Sequence, residues 1–422
     1  MTRLRIIVLL LTLAFVGGIG WLVILLAKGY RLDAKNLALR PRGLFVVTSE
    51  PDGAQIFINN TLESATNATI SLPPDTYEVE LRKEGYFLWR KTITIQKEEV
   101  TKIDAYLFPA APSLSALTFN GATSPILSPD GTKIAYGIPS SEPANDKAGI
   151  WIMDLIDLPI GFSREPRKIT DIDTKELSWR WSPDSRQLLL AQAQKGFFLL
   201  DTNSLTSLPP AGGPLTDIKL SEIAKKWQQE EEKKAQATLQ TLPKKLQEIL
   251  NAKNIAFSPD GTKILYTATN DFEIPEKLVS PLPGSSTQKQ ERSIKTGNTY
   301  IYDVKEDRNF LVYGKELITD QEIFEEASKS ARLATTKTEK STKVKSVKPI
   351  LRWLPTSKHV ILAESDKIII MDYDGQNAQT VYAGPYDAPY AIPFPNPSRL
   401  LILTNLGAGQ GTISNLYSVS LR

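Results

Sequence analysis

The stretch that decides the fold is Ser258-Pro259-Asp260-Gly261-Thr262-Lys263-Ile264-Leu265-Tyr266, because close copies of it recur along the chain. Residues 128–136 nearly repeat it, and residues 181–190 form a third copy. Two weaker copies lie at residues 353–362 and 394–402. A supersecondary unit that repeats in this way sets the architecture of the whole region, because each unit has to pack against its neighbours.

Each copy is centred on a turn whose residues have separate physical tasks. Proline presets φ at the second position, aspartate can bond its own backbone, and glycine adopts the left-handed conformation that returns the chain. The turn residues are Pro129, Asp130, Gly131, Pro183, Asp184, Pro259, Asp260 and Gly261. Apolar residues such as Phe257 and Ile264 flank the turns, so each copy is predicted to be a β-hairpin. We interpret the aspartates as turn residues and not as ligands.

Further strands follow each hairpin. An apolar run that usually ends in aspartate comes next, as in Phe197–Asp201, and a polar-rich run such as Asn309–Tyr313 follows it in some units. Three or four short strands per repeated unit are typical of the blades of a β-propeller. The SPDGTKIxY copies resemble the WD40-like repeats of the TolB family of propellers. This resemblance implies the fold and leaves the function open, because propellers host many unrelated tasks.

The propeller is predicted to span residues 114–422, after a proline-containing linker at 109–113. Residues 114–119 have no partner within their own repeat, and the last repeat stops at 416–420 without an outer strand. We expect these two segments to pair, because closure removes strand edges that would invite aggregation. The expected result is a closed ring of five blades, with six blades as the fallback.

Two insertions interrupt the predicted ring. Residues 217–252 carry apolar residues at helical spacing and predict a helical hairpin, whose apolar stripes would cover blade edges or, alternatively, bind a partner. Residues 316–348 predict a helix followed by a basic disordered loop. For that loop, a solvated chain and a contact with an anionic envelope polymer are the two alternatives.

The chain begins with a short tail at 1–5 and an almost unbroken apolar run from Ile6 to Ala27. About twenty apolar residues match the hydrocarbon core of a bilayer. The run lacks the shorter core and small-residue cleavage site of a cleavable signal peptide, so we predict a single-pass signal anchor. A polar tether follows at 28–42, and its basic residues would place it in the cytoplasm by the positive-inside rule. The domains that follow look like those of exported proteins, so we expect the bulk of the chain outside the cytoplasm.

Residues 43–108 alternate apolar and polar residues in short runs, which predicts a small β-sandwich. The first turn of this unit is Pro51-Asp52-Gly53-Ala54. The unit resembles the PEGA domain, which is named for a Pro-Glu-Gly-Ala turn, with aspartate here in place of the glutamate. The resemblance implies attachment or display at a cell surface rather than chemistry.

Composition excludes several kinds of chemistry. The chain has no cysteine, which rules out disulfides and thiolate metal sites. His359 is the only histidine, so most mechanisms lose their commonest general base and metal ligand. A net charge of +3 gives no electrostatic argument for nucleic acid as a partner. The sequence also has no nucleophile elbow and no phosphate-binding loop, and we predict no catalytic, cofactor-binding or metal-binding residues.

The sequence thus predicts a mostly β protein with an N-terminal transmembrane helix, a PEGA-type sandwich and a β-propeller with helical insertions. The leading functional hypothesis is a binding or scaffold protein of the cell envelope that docks a protein or an envelope polymer through its propeller. One alternative is an enzyme that acts on envelope glycans with paired carboxylates. A second alternative is a sensor for a ligand.

Overall fold

We describe the protein from a computed structural model. The described residues are 2–27, 30–33, 38–140, 146–156, 165–174, 177–192, 195–207, 213–250, 252–280, 282, 286–315, 317–319, 322, 348–408 and 412–422. The chain divides into two compact units. The first comprises Met1–Phe108 with Ser280–Lys289, and the second comprises Pro109–Val279 with Gln290–Arg422.

The first element is helix α1 (Thr2–Ala27). Its apolar part, Arg5–Ala27, has a mean hydropathy of 2.6, and none of the most apolar stretch is buried against the rest of the protein. Large apolar side chains lie exposed along the helix, including Leu13 at 71% and Trp21 at 66%. Length and composition therefore make α1 a candidate membrane span.

The segment expected to be a tether contains a short ribbon in which β1 (Arg31–Asp33) pairs with β2 (Ala38–Arg40). Seven further strands build the sandwich: β3 (Gly43–Glu50), β4 (Gln55–Ile58), β5 (Thr61–Ala65), β6 (Ala68–Leu72), β7 (Asp75–Arg82), β8 (Trp89–Ile95) and β9 (Val100–Tyr106). They form a sheet of order β6-β3-β9 and a sheet of order β5-β4-β7-β8. The alternating inward residues of both sheets share one buried core, which includes Phe45, Ile56, Leu81 and Ile103.

A segment from much later in the chain, Ser280–Lys289, belongs to this first unit. It meets the edge strand β8, whose Thr94 N–H donates to the Thr287 hydroxyl at 3.1 Å. The Gln288 side-chain amide donates to the Thr92 carbonyl of the same strand at 2.7 Å. These two hydrogen bonds satisfy backbone groups on the outer edge of β8, which would otherwise be open to pairing with another strand.

The second unit consists mainly of antiparallel sheets that follow one another along the chain. It opens with β10 (Leu114–Ala116). The first sheet contains β11 (Thr123–Leu127), β12 (Lys133–Ile138), β13 (Gly149–Asp154) and β14 (Arg167–Thr170). The second sheet contains β15 (Leu177–Trp181), β16 (Gln187–Gln192) and β17 (Gly196–Asp201).

Two helices, α2 (Asp217–Leu239) and α3 (Lys244–Ile249), separate the second sheet from the third. The third sheet contains β18 (Ala252–Phe257), β19 (Lys263–Ala268), β22 (Thr299–Asp303) and β23 (Arg308–Tyr313), with a ribbon of β20 (Phe272–Glu273) and β21 (Ser293–Ile294) inserted. The fourth sheet contains β24 (Ile350–Trp353), β25 (His359–Ala363), β26 (Lys367–Asp372) and β27 (Gln379–Ala383). The fifth contains β28 (Ala391–Pro393), β29 (Arg399–Thr404) and β30 (Asn415–Ser420).

The fifth sheet is completed by β10, from the start of the unit. Leu114 lies opposite Val419 and Ala116 opposite Tyr417 in an antiparallel register. The predicted pairing of the first strand with the last is therefore confirmed. The two ends of the unit are joined in one sheet, so neither strand is left as an open edge on that side.

Shared hydrophobic cores and hydrogen bonds connect several pairs of neighbouring sheets. The first and second sheets share one hydrophobic core, as do the third and fourth, and as do the fifth and first. Arg352 of the fourth sheet donates to the Ala391 carbonyl of the fifth at 2.9 Å. Consecutive meander sheets, joined end to start, are the organisation of a β-propeller. The described residues contain five such sheets, and a closed ring of five blades stays a prediction.

The helical insertion contacts both the second and the third sheet. The Lys234 ammonium, on α2, donates to the Pro183 carbonyl in the turn of the second sheet at 2.7 Å. Leu242, just before α3, and Leu246, on α3, share a hydrophobic core with Ile264 of the third sheet. The other predicted insertion, 316–348, lies outside the described residues except for residues 317–319, 322 and 348.

Candidate functional site

The turns singled out by the sequence are closed hydrogen-bond networks. The Asp260 carboxylate accepts from the Ser258 hydroxyl at 2.7 Å and from both the amide and the hydroxyl of Thr262 at 3.0 and 2.8 Å. Partial burial disfavours the charged carboxylate, but these hydrogen bonds outweigh it and lower the pKa of Asp260 to about 2. The carboxylate is held inside its own turn.

The other copies of the turn repeat this geometry. Asp130 accepts from the Ser128 hydroxyl at 2.6 Å, and Asp184 accepts from the Ser182 hydroxyl at 2.5 Å. The residue after each aspartate has a positive φ, which is 71° at Gly131, 68° at Gly261 and 61° at Ser185. Glycine adopts such angles without strain, whereas Ser185 does so within a close-packed turn.

In two of the turns a serine, Ser185 or Ser357, takes the place of the glycine, and its hydroxyl forms a hydrogen bond to the preceding sheet. The Ser185 hydroxyl accepts from the Asp130 amide at 3.1 Å, across the junction of the first and second sheets. The Ser357 hydroxyl accepts from the Asp260 amide at 3.0 Å, across the junction of the third and fourth. Both serines are at least 96% buried, since their exposed fractions are 1% and 4%. The turns therefore alternate between a glycine turn and a serine turn that bonds to it.

Tryptophan side chains repeat the same alternation. The Trp181 indole N–H donates to the Ile126 carbonyl at 3.0 Å, and the Trp353 indole N–H donates to the Ala256 carbonyl at 3.0 Å. Each bond again runs from the second sheet of a pair to the first sheet of that pair. The repeating unit at these junctions is thus a pair of sheets.

In the first unit, the Pro51–Ala54 turn is also part of a local network. Gly53 has a φ of 70°, and the Ala54 amide donates to the Thr66 hydroxyl at 2.9 Å. The Thr66 and Ser49 hydroxyls lie 2.6 Å apart. The turn carbonyl of Asp52 accepts from the Lys83 ammonium at 2.8 Å. These contacts fix the turn to the sandwich.

Helix α2 covers part of the edge strand β15. Arg180, next to the end of that strand, makes an ion pair with Glu231 of α2, whose two carboxylate oxygens lie 2.6 and 2.8 Å from the same guanidinium nitrogen. Trp227, one helical turn earlier, is the helix's buried aromatic residue. The apolar spacing predicted the helix, but no sequence signal connected Glu231 to an arginine 51 residues away.

A second repeated position lies where the second strand of each sheet begins and the third ends. In the third sheet Lys263 faces Asp303, with 3.5 Å between the ammonium and the carboxylate. In the fourth sheet His359 faces Asp372, with 3.3 Å between Nε2 and the carboxylate. His359 is 2% exposed, and its Nδ1 lies 2.9 Å from the Thr356 hydroxyl. The single histidine therefore occupies a cross-strand position that lysine occupies elsewhere.

The fifth sheet differs at this repeated position, and a cavity lies there. Arg399 of β29 faces Ser420 of β30. The cavity beside them has a volume of about 360 Å³. Its lining residues are Ser113, Ser115, Leu117, Ser398, Arg399, Ser418, Ser420 and Arg422. We call this the fifth-sheet cavity. Aligning the repeats could have found it, because the fifth copy alone has serine where the others have aspartate at the end of the third strand.

Among the described residues, no group of three or more His, Cys, Asp or Glu side chains is placed to hold a metal ion.

Comparison with known proteins assigns the first unit. Residues 42–110 match the family model of the PEGA domain. No curated protein matches the chain. The sandwich therefore corresponds to the PEGA domain.

Two solved structures show similarity to the chain. One is the putative TolB from Agrobacterium tumefaciens, with 11% identity, 76% coverage of both chains and a TM-score of 0.21. The other is the Cps50 (Swd1) β-propeller domain of Myceliophteria thermophila, with 12% identity, 74% coverage of this chain, all of that chain and a TM-score of 0.29. The assignment of the second unit as a β-propeller rests on its own sheet order and packing.

Proposed function

We propose that the protein is a membrane-anchored binding or scaffold protein of the cell envelope, with both folded units outside the cytoplasm. The observation that carries this proposal is α1, whose apolar side chains are exposed over a length suited to a bilayer. Exposed apolar surface of this extent calls for a membrane or another apolar partner. A PEGA domain on the same chain supports an envelope location.

Binding is favoured over catalysis by the way the polar residues are used. The turn carboxylates Asp130, Asp184 and Asp260 accept hydrogen bonds within their own turns. His359 lies buried between two protein partners. Catalytic groups exchange protons with a substrate, whereas the turn carboxylates, although exposed, are engaged as acceptors within their own turns and His359 is buried. A protein or an envelope polymer docked on the propeller is the partner that we propose.

The absence of cysteine allows a direct test of which side of the membrane the units occupy. Single cysteines would be introduced as Lys225→Cys, on the exposed face of α2, and as Thr2→Cys, at the start of α1. Intact cells would be treated with a membrane-impermeant maleimide. Labelling of the cysteine at position 225 and protection of that at position 2 is expected. Protection at position 225 until the cells are lysed would contradict the proposed location.

The same position can report the partner. A photoreactive group attached to the cysteine at position 225 should crosslink a protein or a glycan-rich polymer in intact cells. A matched variant, Ser204→Cys, presents an exposed site in the turn after the second sheet. A scaffold docked through the helical side predicts crosslinking from position 225 and less from position 204. Crosslinking to neither class of partner from any exposed propeller position would contradict a docking role.

A further inference from the structure

We propose that the outer edge of the second sheet binds an extended segment of a partner protein, which adds to β17 as a fourth antiparallel strand. This inference rests on the docking role proposed above and narrows the partner to a protein. It depends on three features of the described residues: an edge strand with open backbone groups, a carboxylate without a basic partner, and sister sheets that show what such an edge holds.

The second sheet has one strand fewer than the other four main sheets in the described part of the chain. Its order is β15-β16-β17, whereas each of the others continues to a fourth strand. The Thr202 amide donates to the Arg186 carbonyl at 3.0 Å, on the side of β16. Because backbone groups alternate along an antiparallel strand, those of Leu199 and Asp201 point away from β16. No hydrogen bond to these outward groups is found among the described residues, and an unpaired edge is a template for another chain.

The chain that follows β17 leaves this edge. The Thr206 amide donates to the Ile169 carbonyl of β14 at 2.8 Å, so this segment lies against the first sheet. The chain meets β17 again at Leu215, whose amide donates to the Phe197 carbonyl at 2.7 Å. Phe197 lies near the start of β17, so the described residues leave open the half of the edge that ends at Asp201.

Asp201 gives the open edge a negative charge. It is exposed, its carboxylate accepts from the Asn203 amide at 2.7 Å, and no described basic side chain forms an ion pair with it. Within the sheet, Asp201 faces Gln187. The equivalent aspartate of the first sheet, Asp154, pairs with the Arg167 guanidinium of the fourth strand β14 at 3.1 Å. A basic residue carried by an added strand would give Asp201 the same kind of partner.

The fourth strands of the first and third sheets indicate which segment fits. Strand β14 begins with Arg167, and β23 begins with Arg308, which lies opposite Asp303 at the end of β22. Two residues after each arginine is a buried apolar residue, Ile169 or Phe310, with exposed fractions of 0% and 1%. In strand addition, main-chain hydrogen bonds give affinity and alternate side chains give specificity. A segment of the form Arg-Xaa-Ile or Arg-Xaa-Phe therefore matches the open edge of β17.

The test uses the full chain in detergent and a dye-labelled peptide with the sequence of β23, Arg-Asn-Phe-Leu-Val-Tyr, with binding measured by fluorescence anisotropy. Asp201→Lys places a like charge near the arginine of the peptide and should raise the dissociation constant about tenfold or more. Glu222→Lys reverses an exposed charge on α2 and should leave it unchanged. Both variants should keep the melting temperature of the parent chain, because both side chains are exposed. Equal affinity of the parent chain and Asp201→Lys, or no binding at millimolar peptide, would overturn the site.

Hydrogen exchange measured on the parent chain locates the added strand. The Leu199 amide should exchange rapidly without peptide and about tenfold or more slowly with saturating peptide, because the added strand supplies its acceptor. Protection of this amide without peptide would overturn the open edge. Protection that rises with the concentration of the chain itself would assign the edge to a second copy and overturn the proposed partner.

Crosslinking in cells separates this inference from the docking role on which it rests. The cysteine introduced by Ser204→Cys lies three residues beyond β17. A photoreactive group there should crosslink a protein at least as strongly as one at position 225. Crosslinking from position 225 alone, or of a glycan-rich polymer from position 204, would overturn the strand site and leave the docking role standing.

Discussion

The hydrogen bond from the Asp260 amide to the Ser357 hydroxyl tests how the sheets hold together. Ser357→Ala removes the acceptor and leaves the donor in place. Ser357 is 4% exposed, so water cannot readily take the place of its hydroxyl. A buried donor without an acceptor costs about 1–3 kcal/mol. Because the bond is partly buried, we expect the lower half of that range, a loss of about 1–2 kcal/mol in the free energy of unfolding.

The assay is urea unfolding of the full chain in detergent, followed by tryptophan fluorescence, because Trp353 lies at the same junction. Ser357→Gly should recover part of the loss, since Ser357 has a φ of 57° and glycine relieves strain there. Ser204→Ala, at an exposed turn, is the control. A loss below about 0.5 kcal/mol for Ser357→Ala, the range of ordinary surface substitutions, would refute the reasoning.

Three further predictions concern separate contacts. Asp260→Asn should make the free energy of unfolding less dependent on pH between about 2 and 4. The pKa of Asp260 is lowered to about 2 in the folded protein. The ionised carboxylate therefore stabilises the fold above about pH 4, and this stabilisation disappears as the pH falls toward 2. Thermal melts between pH 2 and 5 measure this. Glu231→Gln removes the charge that pairs with Arg180, so amide exchange in α2 should quicken while global stability changes by less than about 1 kcal/mol, because both side chains are partly exposed. Thr287→Val removes the acceptor of the Thr94 amide, which should then exchange faster with deuterium.

Matched controls separate these outcomes from general destabilisation. Glu222→Gln changes an exposed acid on the same helix and should leave exchange in α2 as it was. Thr69→Val changes an exposed threonine of β6 and should leave the Thr94 amide protected. An unchanged pH dependence in Asp260→Asn, unchanged exchange in Glu231→Gln, or a protected Thr94 amide in Thr287→Val would each contradict the contact concerned.

The alternation that predicts the sandwich is visible in only some of its strands. It is present in β4 (Gln55–Ile58) and in most of β8 (Trp89–Ile95), where buried and more exposed residues take turns. Strand β5 (Thr61–Ala65) shows no such alternation, because its side chains are mostly polar and exposed. It is recognised as a strand only by its pairing with β4. Alternation reports burial on one face, and a strand at an exposed edge need not show it.

The sequence by itself determined the repeated hairpins, their turn chemistry and the apolar helix, because each depends on residues within a few positions of one another. Tertiary structure alone decided which turns bond across the sheets, where Ser280–Lys289 lies and which side chains gather at the fifth-sheet cavity. Those groupings join residues far apart in the chain, such as Ser113 and Ser420. Their positions follow from strand closure and packing, which no local pattern encodes.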